Sequence, residues 1–150
     1  MLKKIILLLT AMLALASCAK NVDIYGYDKT MYDTPENQYK MGYRYLLGQG
    51  RPINYAEALK YFNGAADQGN RYAQSELGYL FAAGKGVTQS YAKAIFWYTK
   101  AADQGLAAAQ YNLGVIYLNG LGTHVDKVRA NDYFHRAAEQ GFEPAQKVIA

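Results

Sequence analysis

The chain has few of the residues that form disulfide bonds or bind metal ions, and few prolines. Its 150 residues include one cysteine, two histidines and three prolines. A lone cysteine forms no internal disulfide and supplies no cysteine-rich zinc site, so a packed core must hold the domain. The longest apolar stretch, residues 5–16, has 12 residues, whereas a membrane-spanning helix needs roughly 20. We therefore expect a core-stabilised domain with no disulfide framework and no membrane-spanning helix.

Charge of one sign is also scarce. The formal net charge is +4, and without Lys3 and Lys4, which precede the apolar stretch, 14 basic and 12 acidic residues remain. These charges are scattered along the chain. Nucleic-acid-binding proteins concentrate basic residues on one face, so the composition argues against a nucleic-acid partner.

Residues 1–17 are predicted to be a lipoprotein signal peptide. Two lysines precede the short apolar stretch, as in secretory signals, and residues 15–18 (LASC) are similar to the lipobox of bacterial lipoprotein precursors. Cleavage at that motif leaves Cys18 as the N-terminus, with a lipid on its sulfur. The alternatives are an ordinary signal peptide with an incidental cysteine and an uncleaved anchor.

Residues 18–33 are predicted to be a lipidated tether. They mix charges with tyrosines and show no apolar period. The alternative is that Tyr25, Tyr27 and Tyr32 pack on the domain that follows. Ala19 stands where the inner-membrane retention signal of lipoproteins has aspartate. That resemblance implies anchoring to the outer membrane, with the domain on its periplasmic face.

Twelve of the fourteen glycines fall on one 36-residue register. Because glycine allows positive φ and close backbone approach, a repeated glycine pattern predicts stacked copies of one supersecondary unit. Copies at 37–72, 73–108 and 109–144 align without a gap. Nine columns are identical in all three copies, beginning in the first with Gln38, Gly42, Gly48, Gly50, Ala58, Ala65, Ala66, Gln68 and Gly69.

Each unit is predicted to contain two helices joined by a turn. In the second copy, helix A is expected over residues 73–83, where apolar side chains recur four residues apart. Gly84 is expected to end that helix in a left-handed conformation. Ser90 is expected to cap helix B, and its register partners Asn54 and Asp126 have the same capping chemistry.

A third glycine column lies inside helix A. Gly78 and its partners Gly42 and Gly114 each cost about 1 kcal/mol relative to alanine in a helix, which predicts that two helices meet there too closely for a side chain. At the ends, residues 34–35 are expected to begin the first helix. Residues 145–150 are expected to form a short helix that caps the last unit.

The second copy carries the family resemblance. Residues 73–105 follow the pattern A-x-x-x-L-G-x-x-F-x-x-G-x-G-V…Y-A-K-A-x-x-W-Y-x-K-A-A-D-Q-G, which resembles the Sel-one-like repeat family, and the likeness covers residues 37–146. It implies an all-α domain over 34–150: a right-handed α-solenoid of three 36-residue helix-turn-helix repeats plus a short C-terminal capping helix. An ordinary tetratricopeptide array repeats every 34 residues, which this register excludes.

The resemblance implies a binding surface on the concave face, which the first helices of such solenoids line. Helix-A columns that vary between copies are predicted to face outward there, including the column of Arg44, Leu80 and Ile116. Tyrosine and arginine are frequent interface anchors. The alternative is that the tyrosines pack between neighbouring helices. The predicted partner-binding residues are Tyr39, Lys40, Tyr43, Arg44, Glu76, Tyr79, Tyr111 and Asn112.

No residue pattern predicts an active site. His124 and His135 have no second metal ligand at helical spacing, and Asp126 is explained as a helix cap. Some cysteine-rich relatives in the family are linked to β-lactam binding or hydrolysis, but the cysteine pairs of that subgroup are absent here. We expect no enzyme, no metal and no cofactor.

The expected function is that of a membrane-anchored periplasmic scaffold that binds a partner protein or peptide. A narrower alternative, implied by some lipid-anchored members of the family, is an immunity lipoprotein that neutralises a phospholipase-type toxin of type VI secretion. A third alternative is a hydrolase that acts on cell-envelope or β-lactam substrates.

Overall fold

A computed structural model describes residues 34–150, and this part of the chain contains seven helices and no strand. The predicted signal peptide 1–17, Cys18 and the predicted tether 18–33 lie outside the described residues. None of the helices within 34–150 is long and apolar enough to cross a bilayer. The helices are α1 (Pro35–Leu47), α2 (Tyr55–Asp67), α3 (Arg71–Ala83), α4 (Tyr91–Asp103), α5 (Ala107–Asn119), α6 (Lys127–Glu139) and α7 (Glu143–Ile149).

The first six helices form three A–B pairs, which we call repeat 1 (α1, α2), repeat 2 (α3, α4) and repeat 3 (α5, α6). Each helix packs mainly on its neighbours in sequence, so α3 and α5 each lie between the B helix of their own repeat and that of the preceding repeat. This one-dimensional stacking is an α-solenoid, and it confirms the predicted fold class.

The helix ends confirm the predicted capping chemistry. Asn54, Ser90 and Asp126 each accept a hydrogen bond from a backbone N–H three residues on, at 3.1, 3.3 and 2.9 Å. Gly84 follows α3 with φ of +67° and donates its N–H to the Leu80 carbonyl. These ends fix the length of each repeat helix at 13 residues.

Two predicted helix starts need correction. Helix α3 begins at Arg71 rather than at residue 73, because the Asn70 side chain accepts a hydrogen bond from the Ala73 N–H at 2.9 Å and caps the helix there. Helix α7 begins at Glu143, two residues before the predicted capping segment. Its Ala145 is fully buried and packs on the end of repeat 3.

The mid-helix glycines face an aromatic ring of the B helix in the same repeat. A Cβ atom on Gly78 would lie 2.6 Å from the Tyr98 ring, well inside van der Waals contact, and Gly42 and Gly114 face Phe62 and Phe134 in the same way. The prediction of close helix approach is therefore confirmed. The rings fill the space that the missing side chains leave.

The column of Arg44, Leu80 and Ile116 is not an outward-facing column, and that prediction is wrong. Leu80 is fully buried in a cluster with Ala58 and Phe62 of repeat 1, and Ile116 is 3% exposed. This column of helix A faces the B helix of the preceding repeat. Arg44 differs because no repeat precedes α1 among the described residues.

A ladder of glutamine side chains joins the repeats. Gln74 of α3 donates from Nε2 to the Ala66 carbonyl of repeat 1 at 3.1 Å, and its Oε1 accepts from Gln104 Nε2 at 2.7 Å. Gln110 repeats both bonds one unit later, to the Ala102 carbonyl and from Gln140. Two of the invariant columns therefore serve the contact between repeats, a role that the sequence analysis did not assign.

Candidate interaction surface

Four of the predicted partner-binding residues come together on α1. Tyr39, Lys40, Tyr43 and Arg44 line an open depression of about 270 Å³, together with Gln49 of the following turn. They lie at successive positions of the helix-A face. Two phenol rings and two basic side chains thus meet at one end of the solenoid, and of these groups tyrosine and arginine are enriched at protein interfaces.

Tyr39 also has a packing role. Its ring centroid lies 5.6 Å from that of Tyr43, 6.0 Å from that of Phe62 and 5.9 Å from that of Tyr72. Burial, with a smaller contribution from the nearby Glu76 carboxylate, raises the pKa of Tyr39 to about 12. The phenol therefore stays protonated at neutral pH and keeps its hydroxyl as a hydrogen-bond donor in the depression.

The predicted residues of repeat 2 are not among the residues that line that depression. Glu76 is half-buried, and its burial raises the pKa of its carboxyl above the ordinary value. Tyr79 is 38% exposed and its hydroxyl accepts a hydrogen bond from Lys85 Nζ, which also lies over the Tyr79 ring. The turn after α3 therefore holds the Tyr79 ring in place at the surface.

In repeat 3, Tyr111 lies between packed elements. Its ring is 5.6 Å from Phe134 and 5.5 Å from Phe142, so it fills the gap between α5, α6 and the start of α7. Asn112 is next to it and half-buried. Tyr111 thus has the inter-helix position that the alternative interpretation describes. A binding role for Tyr111 or Asn112 stays a prediction.

A second surface feature lies on a B helix, outside the predicted partner-binding residues. Helix α4 presents Lys93, Phe96, Trp97 and Lys100, which we call the Phe96 patch, and the Phe96 side chain is 52% exposed. One sequence feature indicates that Phe96 is exposed: the equivalent positions in repeats 1 and 3 are the charged residues Lys60 and Asp132.

Candidate catalytic groups are scarce within the described residues. Residues 34–150 contain no group of three histidine, cysteine, aspartate or glutamate side chains that could hold a metal ion. His124 is exposed in the turn before α6, and His135 is exposed on α6. Asp126 caps that helix and lies 3.6 Å from the Arg129 Nε atom.

Comparison with protein families gives one match. The family model described as the Sel1 repeat matches residues 35–70, 71–106 and 107–142. These units begin at helix A, two residues before the frame that starts at Asn37, and they have the same 36-residue period. A comparison with curated protein sequences finds no match.

Solved structures show the same fold. A protective antigen of uropathogenic Escherichia coli that displays an SLR fold is 42% identical, with a TM-score of 0.75 over 79% of this chain and 25% of that chain. A Sel1 repeat protein from Oxalobacter formigenes is 38% identical, with a TM-score of 0.70 over 77% of this chain and 86% of that one. Cysteine rich protein B of Helicobacter pylori, at 21% identity and a TM-score of 0.64, covers 76% of this chain and 96% of its own. This chain therefore spans only a quarter of the length of the Escherichia coli antigen.

Proposed function

Because the chain belongs to the Sel1 repeat family, whose members are generally protein-interaction scaffolds, we propose that it is a membrane-anchored periplasmic scaffold that binds a partner protein or peptide. The proposed binding surface is the face lined by its A helices. The observation that supports it is the depression of about 270 Å³ lined by Tyr39, Lys40, Tyr43 and Arg44. Tyrosine and arginine are enriched at interface hot spots.

The proposed location is the periplasmic face of the outer membrane. The support is the sequence of residues 15–18 (LASC) after a short basic and apolar stretch. A Cys18→Ser variant should lose its lipid and move from the membrane fraction to the soluble periplasmic fraction. Metabolic labelling with a radioactive fatty acid, followed by fractionation, checks both outcomes. If the Cys18→Ser variant stays labelled and membrane-bound, the anchor lies elsewhere.

Charge reversal tests the binding surface. We expect the double variant Lys40→Glu/Arg44→Glu to bind a periplasmic partner at least about tenfold more weakly. Two cations at the depression are replaced by carboxylates, which repel the groups of the partner that the cations attract. The matched control is Lys127→Glu on α6, an exposed lysine far along the chain from the depression. Binding of the purified partner to each full-length variant, measured by calorimetry, separates the two. Equal affinity for all three proteins would contradict the A-helix assignment.

The identity of the partner distinguishes the narrower roles. A secreted phospholipase that the full-length protein binds and inhibits would identify an immunity lipoprotein. A partner with no toxic activity would place the protein among general envelope scaffolds. Both results retain the proposed binding role.

A further inference from the structure

The Phe96 patch occupies one face of helix α4. Its members are at positions i, i+3, i+4 and i+7, which lie on one side of a helix. Lys100 Nζ is 4.7 Å from the Phe96 ring centroid and 5.1 Å from that of Trp97, and the two rings meet edge to face at 5.0 Å. Trp97 also packs against the buried core of repeats 1 and 2. In this patch the core therefore holds the Trp97 ring in place, and the Phe96 ring beside it is exposed.

The two lysines of this patch have no carboxylate partner among residues 34–150. In repeat 1, Lys60 lies 3.9 Å from Glu57, and in repeat 3, Arg136 lies 3.8 Å from Asp132. Lys93 and Lys100 have no ion pair within residues 34–150 and lie over aromatic rings instead. Of the three B helices, the middle one thus presents two cations without a carboxylate partner.

We propose that the Phe96 patch is a docking site for an acidic segment of a partner protein. Lys93 and Lys100 are seven residues apart along the helix, roughly 10 Å, and Phe96 lies between them in sequence. This spacing fits a segment that has carboxylates on either side of an aliphatic or aromatic side chain. The carboxylates pair with the two ammonium groups, and the apolar side chain covers the Phe96 ring.

An anionic membrane surface fits this face less well. Bilayer binding needs a broad basic and apolar surface. At the column of Phe96, however, repeat 3 has Asp132, and at the column of Lys93, repeat 1 has Glu57. A bilayer laid along the B helices would meet those carboxylates. The local charge surplus at repeat 2 therefore favours a narrow partner segment over an extended anionic surface.

The test is a selection of peptides from a random displayed library on the full-length protein. We expect enrichment of sequences in which acidic residues flank an apolar one. Synthetic copies of these peptides should change the fluorescence of Trp97, which is the only tryptophan of the chain and belongs to the patch. Their affinity should fall as salt rises, because exposed charges are screened.

Variants locate the binding on the patch. Lys93→Glu/Lys100→Glu and Phe96→Asp should each weaken the selected peptides at least about tenfold; Phe96→Asp places a carboxylate where repeat 3 has Asp132. The matched control Val128→Asp, at an apolar side chain of α6 that is 83% exposed, should leave affinity unchanged. Circular dichroism should show equal helix content in all four proteins.

Three results would overturn the proposal. The first is a selection without acidic enrichment, and the second is equal affinity of the Lys93→Glu/Lys100→Glu variant. The third is a Trp97 response to vesicles of anionic phospholipid but to none of the peptides, which would make a bilayer the occupant. Because the patch and the α1 depression use different helices, each can fail without the other, and Lys40→Glu/Arg44→Glu should not alter peptide binding here.

Discussion

Helices α4 and α6 have the same place in successive repeats and differ mainly on one side. Their inward columns match closely: Ala94 with Ala130, Tyr98 with Phe134, and Ala101 with Ala137, all at most 4% exposed. Their outward columns pair Lys93 with Arg129, Phe96 with Asp132, Trp97 with Tyr133 and Lys100 with Arg136. The comparison shows that the fold constrains one side of a B helix and leaves the other free to vary.

One outward exchange changes both the charge and the apolar area of the surface. Asp132 lies 3.8 Å from Arg136, so the charges of α6 cancel locally. At the same column α4 has Phe96, which removes that carboxylate and adds an exposed ring. An exposed charge pair contributes little to stability. The exchange therefore changes the character of the surface while it leaves the scaffold nearly unchanged.

The largest expected effect is a difference in stability between two phenylalanine variants, one on the buried side of α6 and one on the exposed side of α4. Phe134→Ala should lower the free energy of unfolding by about 3–5 kcal/mol, because the ring is 1% exposed and packs against the Gly114 backbone. Phe96→Ala should change it by no more than about 0.5 kcal/mol, since that ring is a surface group. Urea unfolding followed by circular dichroism measures both. Similar losses would show that Phe96 also belongs to the core.

A smaller effect should follow from breaking the bond that couples repeats 2 and 3. Gln110→Ala should cost about 1–3 kcal/mol, because it removes two hydrogen bonds, one to the Ala102 carbonyl and one from Gln140, and each contributes about 0.5–1.5 kcal/mol. The matched control is Gln146→Ala: Gln146 makes the equivalent bond to Ala138 but is exposed. Urea unfolding of both variants should give the larger loss for Gln110. The opposite order would contradict a structural role for the buried ladder.

The smallest effect is a pH dependence of stability that comes from Tyr98 in repeat 2. Burial, and then the Glu76 charge, raise the pKa of Tyr98 above its ordinary value of 10.0, whereas repeats 1 and 3 have Phe62 and Phe134 there. A phenol with a raised folded-state pKa stabilises fully below the unfolded pKa of about 10 and loses that contribution as pH rises further. Tyr98→Phe should therefore reduce the alkaline loss of stability.

Urea unfolding below and above pH ~10 measures this effect. The parent protein should lose more stability than Tyr98→Phe over that interval. Some loss should remain in the variant, since burial also raises the pKa of Tyr39, to about 12. Parallel curves for the two proteins would show that the Tyr98 phenol ionises as easily in the folded chain as in the unfolded one.

Most of the fold could be predicted because its signals are local and repeated. A cap at Ser90 and a left-handed residue at Gly84 each depend on a few neighbouring residues, and the 36-residue register shows them three times. The start of α3 was missed because the Asn70 cap lies outside the apolar period that located the helix. The glutamine ladder was visible as two invariant columns. Its role depends on pairs 30 residues apart, which no local rule connects.

The surface was harder to predict, since a column can vary for two reasons. Arg44 differs from the buried Leu80 and Ile116 of its column because no repeat precedes α1 among the described residues. Phe96, Lys60 and Asp132 vary on an exposed side. Sequence variation alone does not separate these causes. Only the packing of each repeat on the previous one does so.

The glutamine ladder has a consequence for how such a chain can evolve. Each rung uses one glutamine from an A helix and the glutamine that follows the B helix of the same repeat, and it reaches back to a backbone carbonyl that every B helix offers. A duplicated unit can therefore form these hydrogen bonds with the repeat before it and the repeat after it, without any compensating substitution. Gene duplication and deletion can change the length of the array one repeat at a time, while point mutations on the outer columns can change the surface of each copy separately.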